Sequence, residues 1–181
     1  MAGDRSTLNS RVRRDRSIIF NVGRVTALAW IALGGSVSIA TADDRGICGA
    51  SPPKSDTIAA CTRVIASPRT SAHDRAVAYG FRGDVLRARG DSDGAIADYD
   101  QALTLLRDYL PALNGRGLAY QQMGNMAKAI ADFDTALRLD PHDAKALYER
   151  GMAKRKSGDT AGGDADITAA KAINPDVAGQ M

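Results

Sequence analysis

The residues best suited to catalysis are too few and too scattered to form a reactive site. The chain has two histidines, His73 and His142, and neither has a serine, a cysteine or a pair of carboxylates at a spacing that would activate a nucleophile. A structural zinc site needs about four clustered ligands, and two lone histidines without a cysteine cluster do not supply them. The sequence therefore predicts no catalytic residue, no metal site and no cofactor.

The two cysteines indicate a disulfide instead. Cys48 and Cys61 are thirteen residues apart and follow an apolar segment near the N-terminus. An even number of cysteines behind an export signal is typical of a disulfide in an oxidising compartment. We therefore expect a disulfide between Cys48 and Cys61, and two unrelated buried thiols are the alternative.

The apolar segment has the features of an export signal. Residues 25–40 carry no charge and follow several arginines, and Ala40-Thr41-Ala42 has the small residues that signal peptidase accepts. A helix of this length spans about 24 Å, less than the roughly 30 Å of a bilayer core. We expect residues 1–42 to be a signal peptide that is cleaved after Ala42, which leaves a periplasmic or secreted protein without a membrane span. Anchoring by an uncleaved N-terminal helix is the alternative.

The basic character of the whole chain comes from this leader. The formal net charge is +3, but residues 1–42 hold six of the 24 basic residues and only two of the 21 acidic ones. The remainder therefore carries 18 basic and 19 acidic residues. A nearly neutral body lacks the basic face that binding to nucleic acid requires, so we expect no nucleic-acid partner.

Beyond the leader the sequence repeats with a fixed period. Three arginine–glycine dipeptides are spaced by 34 residues: Arg82-Gly83, Arg116-Gly117 and Arg150-Gly151. In the second copy, apolar residues spaced by three and four predict one helix before Gly124 and another after it. Glycine ends a helix readily because it accepts the left-handed conformation, and Pro141 closes the copy. Each copy is therefore predicted to be a pair of helices.

An arginine and an aspartate recur sixteen residues apart in every copy. The arginine falls on the first predicted helix and the aspartate on the second. The residues are Arg82, Asp98, Arg116, Asp132, Arg150 and Asp166. We interpret them as structural ion pairs within the repeats, in which the arginine stem also covers apolar surface. A row of ligand-binding arginines is the alternative.

The repeat resembles the tetratricopeptide repeat (TPR), a helical hairpin with a bulky residue, Gly, Tyr, Ala, an aromatic residue, Ala and Pro at set positions. The second copy fits at Leu113, Gly117, Tyr120, Ala129, Phe133, Ala136 and Pro141. The third copy is degenerate, because Lys154, Gly163 and Ile167 replace the Tyr, an Ala and the aromatic residue. The resemblance, to a TPR protein of an exported bacterial type, implies an all-α superhelix: a short right-handed solenoid of about seven helices.

The resemblance also divides the chain. The expected divisions are the signal peptide 1–42, a disulfide-tethered N-terminal cap with a half-repeat helix 43–75, TPR 1 at 76–109, TPR 2 at 110–143 and the degenerate TPR 3 at 144–177. Residues 57–65 echo the second helix of the first repeat, so an incomplete unit is expected in front of it. Half a repeat cannot bury its apolar stripe well, so we expect the disulfide to hold this cap in place.

In TPR proteins the first helices line a concave groove that holds ligands. The register places Asp84, Arg87, Asn114, Leu118, Gln121, Gln122, Tyr148 and Arg155 there, with ordinary solvated surface as the alternative for each. Members that hold a C-terminal carboxylate use a Lys/Asn clamp, and only Asn114 occupies such a place. The resemblance implies a non-catalytic module of the cell envelope or periplasm that binds a peptide or protein through this groove. A self-assembling structural scaffold, and with it a homo-oligomer, is the alternative.

Overall fold

The computed structural model describes residues 41–50, 53 and 56–180. The predicted signal peptide lies outside these residues except for Thr41 and Ala42. The described chain forms eight α-helices and a short 3-10 helix. The α-helices are α1 Ala42–Cys48, α2 Thr57–Ala66, α3 Ala72–Ala88, α4 Ser92–Leu105, α5 Leu110–Gln122, α6 Met126–Leu139, α7 Ala144–Ser157 and α8 Thr160–Ile173, and the 3-10 helix is Val177–Gln180. None of these helices is both long enough and apolar enough to cross a membrane.

The helices form stacked hairpins. Each α-helix packs against the next one along the chain, and α3, α5 and α7 also contact one another in succession. The hairpins are therefore α3–α4, α5–α6 and α7–α8, with their first helices side by side. The described chain has eight α-helices rather than about seven. The additional helix is α1, which occupies the place of the first helix in the unit that was expected to be incomplete.

The same turn joins the two helices of every hairpin. It contains a glycine with positive φ: 86° at Gly90, 77° at Gly124 and 100° at Gly158. A residue with a Cβ is strained in this conformation, whereas glycine is not. The residue that follows caps the second helix by accepting a hydrogen bond from the backbone N–H three positions on. The caps are Asp91, Asn125 and Asp159.

Glycines also set the distance between the two helices of a hairpin. A Cβ on Gly83 would lie 2.8 Å from the ring of Tyr99, and one on Gly117 would lie 2.8 Å from the ring of Phe133. In the third hairpin Ile167 replaces the aromatic residue, and a Cβ on Gly151 would lie 2.7 Å from the carbonyl oxygen of Gly163. The two helix backbones meet there directly. Gly163 is therefore required by close packing, and α8 runs unbroken through it.

The N-terminal cap consists of α1 and α2 against α3. Cys48 and Cys61 are joined by a disulfide, and both are buried. The Asp44 carboxylate is buried beside them and accepts a hydrogen bond from Arg63 Nε at 2.7 Å. This bond, with another from the Thr41 backbone N–H, lowers the pKa of Asp44 to about 2. The disulfide and a charged pair thus hold α1, which is too short to be stable alone.

Candidate binding surface on the first helices of the hairpins

The repeated arginines and aspartates form a ladder across the hairpins. Arg82 donates two hydrogen bonds to Asp98, from Nε to Oδ2 and from Nη2 to Oδ1, each 2.7 Å long. Arg116 pairs with Asp132 and Arg150 with Asp166 in the same two-pronged geometry. All three aspartates are buried. We call these six residues the ladder; each rung joins the two helices of one hairpin.

A third contact from each arginine joins neighbouring units. Arg150 Nη1 donates to Asp134 of the preceding hairpin at 2.8 Å, and Arg116 Nη1 donates to Asp100 in the same way. Arg82 Nη1 donates instead to Thr62 of the cap at 2.9 Å. Sequence reasoning missed these acceptors, although Asp100 and Asp134 are themselves 34 residues apart and sixteen residues before an arginine. Each arginine thus makes three hydrogen bonds within the stack, which supports a structural role for it.

Tyr99 carries a polar group from α4 to the opposite side of the stack. Its ring is completely buried between α3 and α5, where a Cβ on Gly115 would lie 2.5 Å from it. Its hydroxyl donates a 2.8 Å hydrogen bond to Asp84 Oδ1 on α3. In the second hairpin Phe133 takes the place of Tyr99 and Leu118 that of Asp84. Only the first hairpin therefore positions a carboxylate in this way.

Three of the predicted groove residues use their amide groups within the protein. Asn114 Nδ2 donates to Asp143 Oδ2 at 2.8 Å, and Gln121 Nε2 donates to the backbone carbonyl of Glu149 at 2.7 Å. Gln122 Oε1 accepts from the Ser92 hydroxyl at 3.2 Å. Asp143 needs a donor, so the Asn114 NH2 group faces it and is not available to a ligand carboxylate.

The other predicted groove residues fall into two groups. Leu118 and Tyr148 are half-buried and pack against hydrophobic clusters of the stack. Arg155 is exposed and lies 3.4 Å from Asp164 of α8. Asp84 and Arg87 are left, and they lie one turn apart on α3.

Two residues of α7 that the sequence analysis did not select complete the site. Lys145 and Glu149 interact electrostatically with Asp84 or Arg87 across the stack. Lys145 shares its repeat position with Val77, and Glu149 shares its position with Phe81 and Gly115, so no charged residue in the earlier copies pointed to them. We define the groove face as the surface shared by α3, α5 and α7, with Asp84, Arg87, Lys145 and Glu149 as its charged cluster.

The groove face keeps its carboxylates partly desolvated. Asp84 is exposed, yet burial of its carboxylate among the flanking helices raises its pKa, more than Tyr99, Arg87 and Lys145 lower it. Burial likewise raises the pKa of Glu149. Within the described part of the chain none of the four charged residues of the cluster takes part in a salt bridge. Charged groups held in this way are available to the polar groups of a partner.

His73 and His142 are both exposed. His73 has Asp74 3.7 Å away, next to it in the chain. No group of three or more His, Cys, Asp or Glu side chains in residues 41–50, 53 and 56–180 is arranged to hold a metal ion.

Comparison with known proteins identifies the repeats. Residues 111–143 match the tetratricopeptide repeat family, and residues 83–124 match a related TPR repeat family. No curated protein sequence is significantly similar to the chain. The chain therefore contains tetratricopeptide repeats.

Solved structures extend the comparison to the fold. A crystal structure of MamA protein is 23% identical, with a TM-score of 0.58, over 68% of this chain and 66% of that one. The second TPR of Spaghetti (RPAP3) is 22% identical, with a TM-score of 0.54, over 55% of this chain and 92% of that one. The Sgt2 TPR domain from Aspergillus fumigatus is 26% identical, with a TM-score of 0.54, over 55% and 66% of the two chains. The described fold is an all-α solenoid of the TPR type.

Proposed function

We propose that this protein is a non-catalytic interaction module that binds an extended segment of another protein on its groove face. The observation that carries the proposal is the charged cluster, in which Asp84, Arg87, Lys145 and Glu149 lie together without a salt bridge. Asp84 is also held in position, because Tyr99 donates to it from inside the stack. A partly desolvated charge without a salt bridge gains stability when a ligand supplies a complementary group.

Structures of similar fold support a peptide ligand. The two TPRs of Spaghetti (RPAP3) are each solved bound to the HSP90 peptide SRMEEVD, and the second TPR of human RPAP3 is solved in complex with the HSP70 peptide SGPTIEEVD. Both peptides end in acidic residues. Here Asp84 and Glu149 offset Arg87 and Lys145, so the charged cluster has no net positive charge for an acidic tail, and the Asn114 amide is occupied by Asp143. We therefore propose that the ligand of this protein is a peptide segment without an acidic tail.

A peptide selection with variants of the cluster tests the function. Peptides enriched from a displayed random library on the isolated protein should bind, and Asp84→Arg or Glu149→Arg should weaken them about tenfold, as for loss of a central interface residue. The matched control is Asp176→Arg, which changes the same charge at an exposed site near the C-terminus. The peptide SRMEEVD should bind no better than a scrambled version. Failure to enrich any peptide, or equal affinity for the cluster variants and the control, would contradict the proposal.

Self-assembly as a structural scaffold is the second candidate and has less support. Asp100 and Asp134 accept an arginine from the next unit, but their counterpart in α8 is Thr168, whose hydroxyl donates to the Asp164 carbonyl. The exposed face of α8 therefore lacks the carboxylate that joins successive units within the chain. Sedimentation across a range of concentrations should show a monomer, and a concentration-dependent dimer would favour the scaffold.

We also propose that the protein is exported, on the strength of the leader sequence and the buried disulfide. The expected cut after Ala42 falls inside α1 and would remove Thr41, whose side chain and backbone cap that helix through Asp44. Mass spectrometry of the protein from the periplasm or medium of an expressing bacterium should show a chain beginning at Asp43. A product that keeps residues 25–40 and stays with the membrane would indicate an uncleaved anchor.

A further inference from the structure

A pocket lies between the N-terminal cap and α3, outside the charged cluster. Its volume is about 100 Å³, well below the roughly 300–1,000 Å³ typical of small-molecule sites. Cys48, Val64, Val77 and Phe81 give it apolar walls. It is therefore of a size for one side chain rather than for a whole cofactor.

The pocket adjoins the groove face. Val77, Phe81 and Asp84 are spaced by four and three residues on α3, so they share one side of that helix. Asp84 is thus one helical turn, about 5 Å, beyond the pocket along α3. A segment bound to the charged cluster can reach the pocket without changing sides.

The charges at the pocket favour an uncharged occupant. Arg45 comes from α1 and Asp74 from α3, and the two are not in a salt bridge with each other. A charged side chain of either sign would meet a like charge from one of the two helices. An apolar side chain avoids this, and its own peptide groups complement both residues, because the C=O can accept from Arg45 and the N–H can donate to Asp74.

We propose that this pocket anchors one uncharged apolar side chain of the partner segment that lies on the groove face. The proposal rests on the proposed function and adds the chemistry of one position in the ligand. It also assigns a role to the disulfide. Cys48 lines the pocket, and its bond to Cys61 of α2 holds α1 in place as the outer wall.

Capped amino acids test the pocket without a natural ligand. N-acetyl-leucine amide carries one apolar side chain between two peptide groups, and the lysine and glutamate analogues differ only in that side chain. In NMR titrations of the ¹⁵N-labelled protein, the leucine compound should shift the amide signals of Gly49, Val77 and Phe81 with a dissociation constant on the order of millimolar. The lysine and glutamate compounds should not. Equal shifts with all three compounds, or none with leucine, would overturn the proposal.

Variants separate the pocket from the rest of the fold. Val77→Trp fills the pocket from α3 and should abolish the leucine shifts. Cys48→Ser with Cys61→Ser frees the outer wall and should weaken binding about tenfold, while signals from residues 110–173 keep their positions. Gly46→Ala is the matched control, since a Cβ there contacts nothing within 4 Å. Unchanged leucine binding in both pocket variants would overturn the proposal.

The two proposals fail differently. A selected peptide that shifts the signals of Asp84 and Arg87 but not those of Gly49, Val77 and Phe81 overturns the anchor and supports the proposed function. Leucine binding in the pocket without any peptide that binds the groove face supports the anchor and counts against the proposed function.

Discussion

The ladder and the groove face use the same kinds of side chain in opposite ways. On α3 Arg82 and Asp84 are only two residues apart, and residues at this spacing point to different sides of a helix. Arg82 makes a two-pronged pair with the buried Asp98, whereas Asp84 receives one hydrogen bond from Tyr99 and has no salt bridge among the described residues. The ladder therefore fixes the two helices of each hairpin against one another, and the groove face keeps charges available.

The pKa values of two carboxyl groups, Asp166 and Asp84, shift in opposite directions on the two surfaces. Burial acts to raise the pKa of Asp166, but hydrogen bonds from Arg150 and Lys154 outweigh it and lower the pKa. Burial also raises the pKa of Asp84, and there the nearby cations do not outweigh it. Asp166 is thus stabilised as an anion in the ladder, whereas Asp84 is destabilised as one on the groove face. The comparison shows which charges hold the fold and which are available for binding.

The largest expected effect comes from removing a carboxylate of the ladder. Asp132→Ala leaves Arg116 half-buried without its main partner and should lower the free energy of unfolding by about 3 kcal/mol. Asp84→Ala is the matched change on the groove face and should cost less than about 1 kcal/mol, the value of one ordinary hydrogen bond. Urea unfolding followed by circular dichroism measures both. Similar losses for the two variants would remove the distinction between the surfaces.

The second largest effect is expected at Gly115, whose missing side chain leaves room for the Tyr99 ring to reach the groove face. Gly115→Ala places a methyl group 2.5 Å from the Tyr99 ring, and overpacking of this kind should cost about 1–3 kcal/mol. It should also displace the hydroxyl from Asp84 and so weaken ligand binding, which the ladder variants should not do if they remain folded. Gly46→Ala serves as the control for stability and for binding. A Gly115→Ala protein of unchanged stability would show that the passage is wider than described.

The pH dependence of stability should have opposite signs on the two surfaces. The ionised Asp166 stabilises the fold above the unfolded pKa of about 3.9, and this contribution is lost as the pH falls below it. The ionised Asp84 disfavours the fold, and this penalty is fully present above its folded pKa, which is raised. At pH 7 Asp166→Asn should therefore lose about 1 kcal/mol, and Asp84→Asn should be neutral or slightly stabilising. Both differences should shrink at pH 3 in urea titrations, and a loss of equal size for both variants at pH 7 would contradict the assignment.

The smallest effect is expected from the contact between hairpins. The Asp100 side chain is 50% exposed where it meets Arg116, so Asp100→Ala should cost only about 0.5 kcal/mol. Arg116 keeps Asp132 in that variant. Chemical unfolding of Asp100→Ala, Asp132→Ala and the double variant gives the coupling between the two acids. If Asp100→Ala lost as much stability as Asp132→Ala, the contact between hairpins would contribute as much to stability as the ion pair within a hairpin.

Much of the fold could be predicted because the repeat is local. Glycine, capping residue and apolar stripe recur in each copy, and the all-α TPR-type solenoid follows from them. The first hairpin ends without a proline, yet Leu106 has the same extended backbone as Asp140 and Asn174, with φ of −135°, −132° and −136°. The prediction was weaker at the two ends of the stack, where the neighbouring units differ. The sequence analysis did not predict α1 as a helix, and it treated Gly163 only as a departure from the repeat pattern.

The groove was predicted less completely than the fold. Register alone placed eight residues there, but it could not show that Asn114, Gln121 and Gln122 use their amides on other parts of the protein. Nor could it show that Lys145 and Glu149 approach Asp84 and Arg87, because their repeat positions hold uncharged residues in the earlier copies.

The sequence by itself determined where each helix of a hairpin begins and ends, and that no hairpin can bury its apolar stripe alone. These properties depend on residues a few positions apart, whose geometry a helix sets. Only the tertiary structure decided which side chains of different hairpins meet and which charges are left for a ligand. That outcome depends on distances of a few ångströms between side chains from different hairpins, and stacking alone brings them together.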